Sequence, residues 1–232
     1  MSKFLALYLA ESTRFKKKKN GMYKKSDKNS GSGLAIKSVF SMGKEGIAYI
    51  KEIKKSDPNI TEDEYLDMLE TSKEYLLDYI KENDIDVLAV PGSDSRVLKD
   101  LMSIVPDDVI IFNDIKKSNL DSIHMNLDVI KDEHKASVQK GGDESIKSLR
   151  KKGFNEIKMK NVFKQFALLF RGFLEFSEED SDKLLAIIED KNVLILDDVI
   201  STGASIYETE RLIASLNPNS THALTLFKIS AN

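Results

Sequence analysis

The chain contains no cysteine and no tryptophan, and only three histidines among its 232 residues. Without cysteine it forms neither disulfides nor a thiolate site, which is typical of a protein of the reducing cytoplasm. The spacing of His124, His134 and His222 does not indicate a shared metal ion. No apolar run approaches the ~20 residues of a membrane span. We therefore expect a cytoplasmic protein without a membrane partner.

Neither sign of charge dominates the composition. Charged residues make up 31% of the chain, but the formal net charge is only −3, which does not favour nucleic acid or membranes as partners. The lysine run 16–19, beside Phe15 and Tyr23, is the local exception. It is typical either of a nucleic-acid contact or of a solvated hairpin tip, and we expect the latter. The sequence has no dinucleotide-binding glycine fingerprint and no P-loop lysine.

Strand patterns and helix patterns alternate along the chain, which predicts an α/β fold with a mostly parallel sheet flanked by helices. Residues 1–232 would form a single domain. The first two predicted strands would pair as an N-terminal hairpin, or hood, over residues 3–41. A capping box at Thr61 and Glu64 predicts the start of a helix. Residues 114–160 are lysine-rich with weak periodicity, so we expect a long flexible insertion that acts as a lid.

The most informative segment is residues 193–205, VLILDDVISTGAS. Its four aliphatic residues predict a strand buried on both faces, and Asp197 and Asp198 follow where that strand is expected to end. A loop of small residues then leads into a helical pattern. Ligands bind at the carboxyl ends of strands in such sheets.

The chemistry of this loop follows from its residue types. Gly203 and Ala204 allow a ligand to approach the backbone closely, and the first N–H groups of the helix favour an anion. Hydroxyl donors come from Ser201, Thr202 and Ser205. Because the two carboxylates would repel a phosphate, we expect them to face sugar hydroxyls or a divalent metal. A sugar phosphate satisfies both halves of the segment.

The segment resembles the phosphoribosyl-pyrophosphate (PRPP) binding motif of type I phosphoribosyltransferases. The resemblance implies that Asp197 and Asp198 hold the ribose hydroxyls and that residues 201–205 hold the 5′-phosphate. It also implies a pyrophosphate loop after an earlier strand, where this chain has Gly92, Ser93, Asp94, Ser95 and Arg96. Alternatively, this second segment is an ordinary turn with Ser95 as a helix N-cap. Asp94 would repel pyrophosphate unless Mg²⁺ intervenes.

A third element, Arg150-Lys151-Lys152-Gly153-Phe154-Asn155, is similar to an Arg-Gly-Phe-Asn element of the competence protein F branch of the family. Its distance from the second loop is larger than is usual in that branch, and a solvated helix end is the alternative interpretation. If the resemblance holds, Arg150, Lys151 and Lys152 belong to the lid. Ser201 stands where the hypoxanthine-guanine enzymes carry an acid, which argues against that acceptor.

The sequence thus predicts a Mg²⁺-dependent phosphoribosyltransferase that uses PRPP and an unidentified small-molecule acceptor, with Mg²⁺ held through PRPP and by Asp197 and Asp198. Positioning and electrostatics would carry the reaction. The alternative is a non-catalytic module that senses PRPP or a nucleotide and associates with nucleic acid. A homodimer is compatible with either function.

Overall fold

The computed structural model describes residues 8–13, 34–42, 49–50, 61–92, 95–157, 162, 166–178, 180–200 and 202–229. Its helices are α1 Glu62–Glu82, α2 Arg96–Met102, α3 Asp132–Lys151, α4 Ser181–Ile188 and α5 Ala204–Ala214, with a 3₁₀ turn at Leu120–Ser122. Its strands are β1 Tyr8–Thr13, β2 Ile36–Met42, β3 Val87–Ala89, β4 Ile110–Phe112, β5 Ile115–Lys117, β6 His124–Met125, β7 Phe170–Arg171, β8 Leu174–Phe176, β9 Asn192–Ile200 and β10 Ser220–Ile229. None of the helices in these ranges is long and apolar enough to cross a membrane.

Six strands form the main sheet, in the order β1-β2-β10-β9-β3-β4. Five of these strands are parallel to one another: β2, β10, β9, β3 and β4. Strand β1 pairs antiparallel with β2 at the edge of the sheet. The predicted α/β architecture with a mostly parallel, helix-flanked sheet is confirmed. The two strands of the predicted N-terminal hairpin pair antiparallel at the edge of the main sheet. The predicted hood includes residues 14–33, which lie outside the described residues. The lysine run 16–19 lies outside the described residues.

Helices cover both faces of the sheet, and each face has its own apolar core. The side chains of β9 alternate between the two cores: Val193 and Ile195 pack with α3, α4 and α5, whereas Leu194 and Leu196 pack with α1 and α2. Residues 193–196 are all fully buried. This is the predicted environment of a central parallel strand, which has β3 and β10 at its edges and helices over both of its faces.

Residues 114–160 were predicted to be a long flexible insertion that acts as a lid. Residues 115–157 contain regular strands and a helix, which the weak periodicity of the segment did not indicate, and the function as a lid stays a prediction. We call residues 115–176 the insertion. Two nested antiparallel pairs, β5 with β8 and β6 with β7, frame it. Between them α3 runs for 20 residues and buries Val138 and Leu149 in the core. Residues 158–161 and 163–165 lie outside the described part of the chain.

Candidate functional site

The turn from β9 to α5 is set by one glycine. Gly203 occupies the N-cap position with a φ of 78°, a left-handed conformation that L side chains rarely adopt. The Tyr207 ring packs beside it, so that a Cβ on Gly203 would lie 3.1 Å from Tyr207 Cε2. The left-handed conformation of Gly203 lets the chain pass from strand to helix within a few residues. Burial, and with it the charge of Glu210, raises the pKa of Tyr207.

A small recess opens at this turn. Most of its lining comes from the predicted PRPP motif, and Val199 and Ile206 are its apolar members. The lining residues are Asp197, Val199, Thr202, Gly203, Ala204, Ser205 and Ile206. The N–H group of Ala204 donates to Thr202 Oγ1 at 3.4 Å. Helix α5 begins here, so its first N–H groups face a ligand at the positive end of the helix dipole. Ser201 lies outside the described residues.

The two acids of the motif occupy different environments. The sequence indicated that Asp197 and Asp198 follow the end of the strand. Strand β9 instead extends through Ile200, so both acids lie within it. Successive strand residues point to opposite faces. Asp197 is half-buried and lines the recess, whereas Asp198 is 5% exposed and does not. The Asp198 N–H group donates to Asp197 Oδ1 at 2.8 Å, which fixes the Asp197 carboxylate.

The second predicted loop follows β3, the strand beside β9. Gly92 donates its N–H group to the Ile115 carbonyl at 2.9 Å, and a Cβ on Gly92 would lie 2.8 Å from the same oxygen. The glycine is thus required by the close approach of β5. Ser93 and Asp94 lie outside the described residues, and Ser95 occupies the N-cap position of α2.

Arg96, predicted to contact pyrophosphate, is held by α1 and by its own helix. Its guanidinium lies 4.2 Å from the centre of the Tyr65 ring. It forms ion pairs with Glu62 at 3.2 Å and with Asp100 at 3.7 Å. Contact with a ligand would require Arg96 to leave these partners, so its role stays a prediction.

The predicted lid residues lie at the carboxyl end of α3. Arg150 and Lys151 form its last turn, Lys152 is the C-cap, and all three are exposed. Arg150 pairs with Asp121. Cations at this end of a helix complement its dipole, so the alternative interpretation as a solvated helix end describes their position. Closure of these residues over a ligand stays a prediction.

Sequence analysis missed a buried charge cluster on α5. Glu208 is fully buried and accepts hydrogen bonds from Arg211 Nη2 at 2.9 Å and Nε at 3.1 Å. It also accepts from the Gly172 N–H group at 2.6 Å, and Arg171 Nε lies 3.9 Å from it. The signal in the sequence was an acid on the apolar face of an amphipathic helix, three residues before an arginine.

The recess brings Asp197 together with residues 202–205 at the amino end of α5. No group of three or more acids and histidines that could hold a metal ion occurs in the ranges the structure describes. No protein-family model matches the chain, and no curated protein matches it. The function is therefore argued from the site.

Proposed function

We propose that this protein is a Mg²⁺-dependent phosphoribosyltransferase with a type I-like fold. It would transfer ribose 5-phosphate from PRPP to a nitrogenous base and release pyrophosphate. One observation carries the proposal: the carboxylate of Asp197 and the loop residues 202–205 line the same recess, at the amino end of α5. An acceptor of hydroxyl protons and an array of anion-binding N–H groups suit the two ends of a ribose 5-phosphate.

The position of the recess in the sheet supports the proposal. The helix after β3 packs on one face of the sheet, and the helix after β9 packs on the other. Since β3 and β9 are neighbours, their outgoing chains diverge and leave a crevice at their carboxyl ends. Open α/β sheets bind ligands at this kind of switch point. In this proposal PRPP would lie across that edge of the sheet, with its 5′-phosphate at the α5 turn and its pyrophosphate toward the loop at Gly92.

In this proposal each group has a defined role. The N–H groups of Gly203 to Ser205 and the hydroxyls of Thr202 and Ser205 hold the 5′-phosphate, and Asp197 accepts hydrogen bonds from the ribose hydroxyls. The carboxylate oxygen of Asp197 is also a hard donor of the kind Mg²⁺ prefers. Asp198 is buried and does not line the recess, so its role as a metal ligand stays a prediction. When bound, Mg²⁺ would neutralise the charge of the departing pyrophosphate. The insertion would exclude water from the ribose as its bond to pyrophosphate breaks.

The direct test is release of pyrophosphate from PRPP in the presence of Mg²⁺ and a panel of purine and pyrimidine bases. We expect release with at least one base, and loss of release in Asp197→Asn. Asp107→Asn is the matched control, because Asp107 is an exposed acid in the turn before β4. Hydrolysis that is independent of every base and equal in the two variants would contradict the proposal.

One observation favours a second candidate, a module that binds PRPP without transferring ribose. Arg96 is already paired with Glu62 and Asp100, so the second loop lacks an unengaged cation in the described structure. A sensor needs the 5′-phosphate cradle but not a pyrophosphate site. Saturable PRPP binding without pyrophosphate release from any acceptor would favour this module over the enzyme.

A further inference from the structure

A second, larger cavity lies between the insertion and α5. It has a volume of about 420 Å³, which is within the ~300–1,000 Å³ range of small-molecule sites. Its lining consists of seven residues: His124, Met125, Asn126, Leu127, Asp128, Arg171 and Arg211. Arg211 follows Ala204 by seven residues, a rise of about 10 Å along α5. The cavity is therefore separate from the recess at the β9–α5 turn.

Two arginines from different elements are held together at this cavity by one buried acid. Glu208 binds Arg211 through both carboxylate oxygens and lies 3.9 Å from Arg171. Arg171 Nη1 is fixed further by donating to the carbonyls of Leu168 at 2.9 Å and Phe170 at 2.8 Å. Two guanidinium groups and one carboxylate leave a net positive charge, which the fold has oriented before any ligand binds.

Each guanidinium retains donors. Arg211 Nη1 and Arg171 Nη2 have no hydrogen-bond partner among the described residues. The two cations also repel each other. Burial lowers the pKa of Arg171, the charge of Glu208 opposes this, and the charge of Arg211 lowers that pKa further. An anion bound between them would relieve the repulsion.

The lining also contains the side-chain amide of Asn126. Asn126 Oδ1 accepts from the Asp128 N–H group at 3.0 Å, and the NH₂ group of Asn126 has no hydrogen-bond partner among the described residues. His124 pairs with Arg171 across the β6–β7 ladder. Asp128 is the acidic residue of the lining, and it is exposed. Asp132 and, to a lesser extent, Asp128 raise the pKa of Lys135, which pairs with Asp132 at 2.8 Å.

We propose that this cavity is a second anion site, which binds a small molecule through an oxyanion, either a phosphate or a carboxylate. Arg171 and Arg211 bind the oxyanion, and Asn126 of the same lining donates to it. Met125 and Leu127, the apolar residues of the lining, contact the apolar part of the molecule. Because Arg211 belongs to α5 and the rest of the lining belongs to the insertion, an occupied site would tie the insertion to the helix that begins at the predicted PRPP motif.

The test follows the arginine side chains themselves. We would titrate ¹⁵N-labelled protein with inorganic phosphate, and separately with acetate, and record the Nε–H signals of Arg171 and Arg211. We expect saturable shifts of both signals with at least one of the two anions. Phosphate bound only at the β9–α5 turn would leave these two signals unchanged. The two titrations together identify which oxyanion the site takes.

The decisive variant is Asn126→Asp, which keeps the acceptor for the Asp128 N–H group and adds a negative charge to the lining of the cavity. We expect binding about tenfold weaker or more, because the new carboxylate repels a bound anion. Asn119→Asp is the matched control, since Asn119 Oδ1 accepts from the Asp121 N–H group in the same manner and lies outside the cavity. Equal affinity in both variants, or shifts that never saturate with either anion, would overturn the proposal.

Discussion

Gly203 and Ser205 lie two residues apart in the loop, but substitutions at the two positions test different properties. A side chain at Gly203 would be strained by the positive φ and would crowd Tyr207, so Gly203→Val would lower stability whether or not a phosphate binds there. Ser205 lies in the first turn of α5 and is half-exposed. Its hydroxyl can be removed without loss of helix, and Ser205 is therefore the better probe of the phosphate cradle.

We predict that Ser205→Ala weakens binding of ribose 5-phosphate by about tenfold, the loss expected for one hydrogen bond to a charged group. The free energy of unfolding should stay equal or rise by up to ~0.5 kcal/mol, because alanine favours helix over serine. Ser148→Ala, on the exposed face of α3, is the control. Equal affinity of the two variants, measured by calorimetry, would contradict the cradle.

His222 provides a pH-dependent contribution to stability. Burial, and with it the charge of Lys37, lowers the pKa of His222 in the folded protein. The unfolded chain then binds this proton more readily, so stability falls as pH decreases below ~6.5, the unfolded value. We predict that His222→Gln flattens this fall in chemical unfolding at pH 5 to 7. His134→Gln, on the surface of α3, should leave it unchanged; an unaltered slope in His222→Gln would be contrary to prediction.

At the scale of elements, two adjacent glycines let α3 pack closely against other residues of the insertion. A Cβ on Gly142 would lie 1.7 Å from Met125 Sδ, and one on Gly141 would lie 2.6 Å from Phe166 Cζ. Alanine is ordinarily favoured over glycine in a helix by about 1 kcal/mol. A methyl group at Gly142 would displace the Met125 side chain of β6, and we expect the packing lost there to outweigh that preference.

We therefore predict that Gly142→Ala lowers the free energy of unfolding by about 1–3 kcal/mol, the cost of overpacking a core. The double variant Met125→Ala with Gly142→Ala should lose less than the sum of the two single changes, since the shortened side chain makes room. Strict additivity in denaturant unfolding would show that the contact does not limit the approach of α3.

The helix α3 also explains where sequence prediction failed. The strands β3, β4 and β10 and the helices α1, α2 and α5 were predictable because their apolar periodicity, and the Thr61–Glu64 capping box, are local signals. In α3 part of the buried face is made of Gly142 and Ser145, which do not count as apolar. Its periodicity was therefore hidden, and a packed helix resembled a polar loop.

The candidate site was predictable to a similar extent. The residues that line the recess are adjacent in sequence, so the motif located most of them. The different environments of Asp197 and Asp198 depend on how far β9 extends, and that is set by pairing with β10, where Asp197 lies opposite Thr225. The Glu208 cluster joins residues from α5 and the insertion, and a long-range contact of this kind leaves little trace in the sequence.

At the scale of the whole molecule, three parts of the chain meet around the carboxyl ends of β3 and β9. The α5 turn supplies the recess, Gly92 follows β3, and the insertion is joined to both. Its first strand contacts Gly92 through the Ile115 carbonyl, and Glu208 of α5 holds its Gly172 N–H group. The insertion is thus positioned to respond to a ligand at either site.

The central claim is that the recess at the end of β9 binds PRPP, and calorimetric titration with PRPP and Mg²⁺ tests it most directly. We predict saturable binding to the parent protein and to Asp107→Asn. Binding to Asp197→Asn should be about 10–100-fold weaker, the loss expected for charge-assisted hydrogen bonds to the ribose. Thermal unfolding of the variants without ligand would verify that each is folded. Undiminished affinity in folded Asp197→Asn, or no binding to the parent protein, would contradict the account.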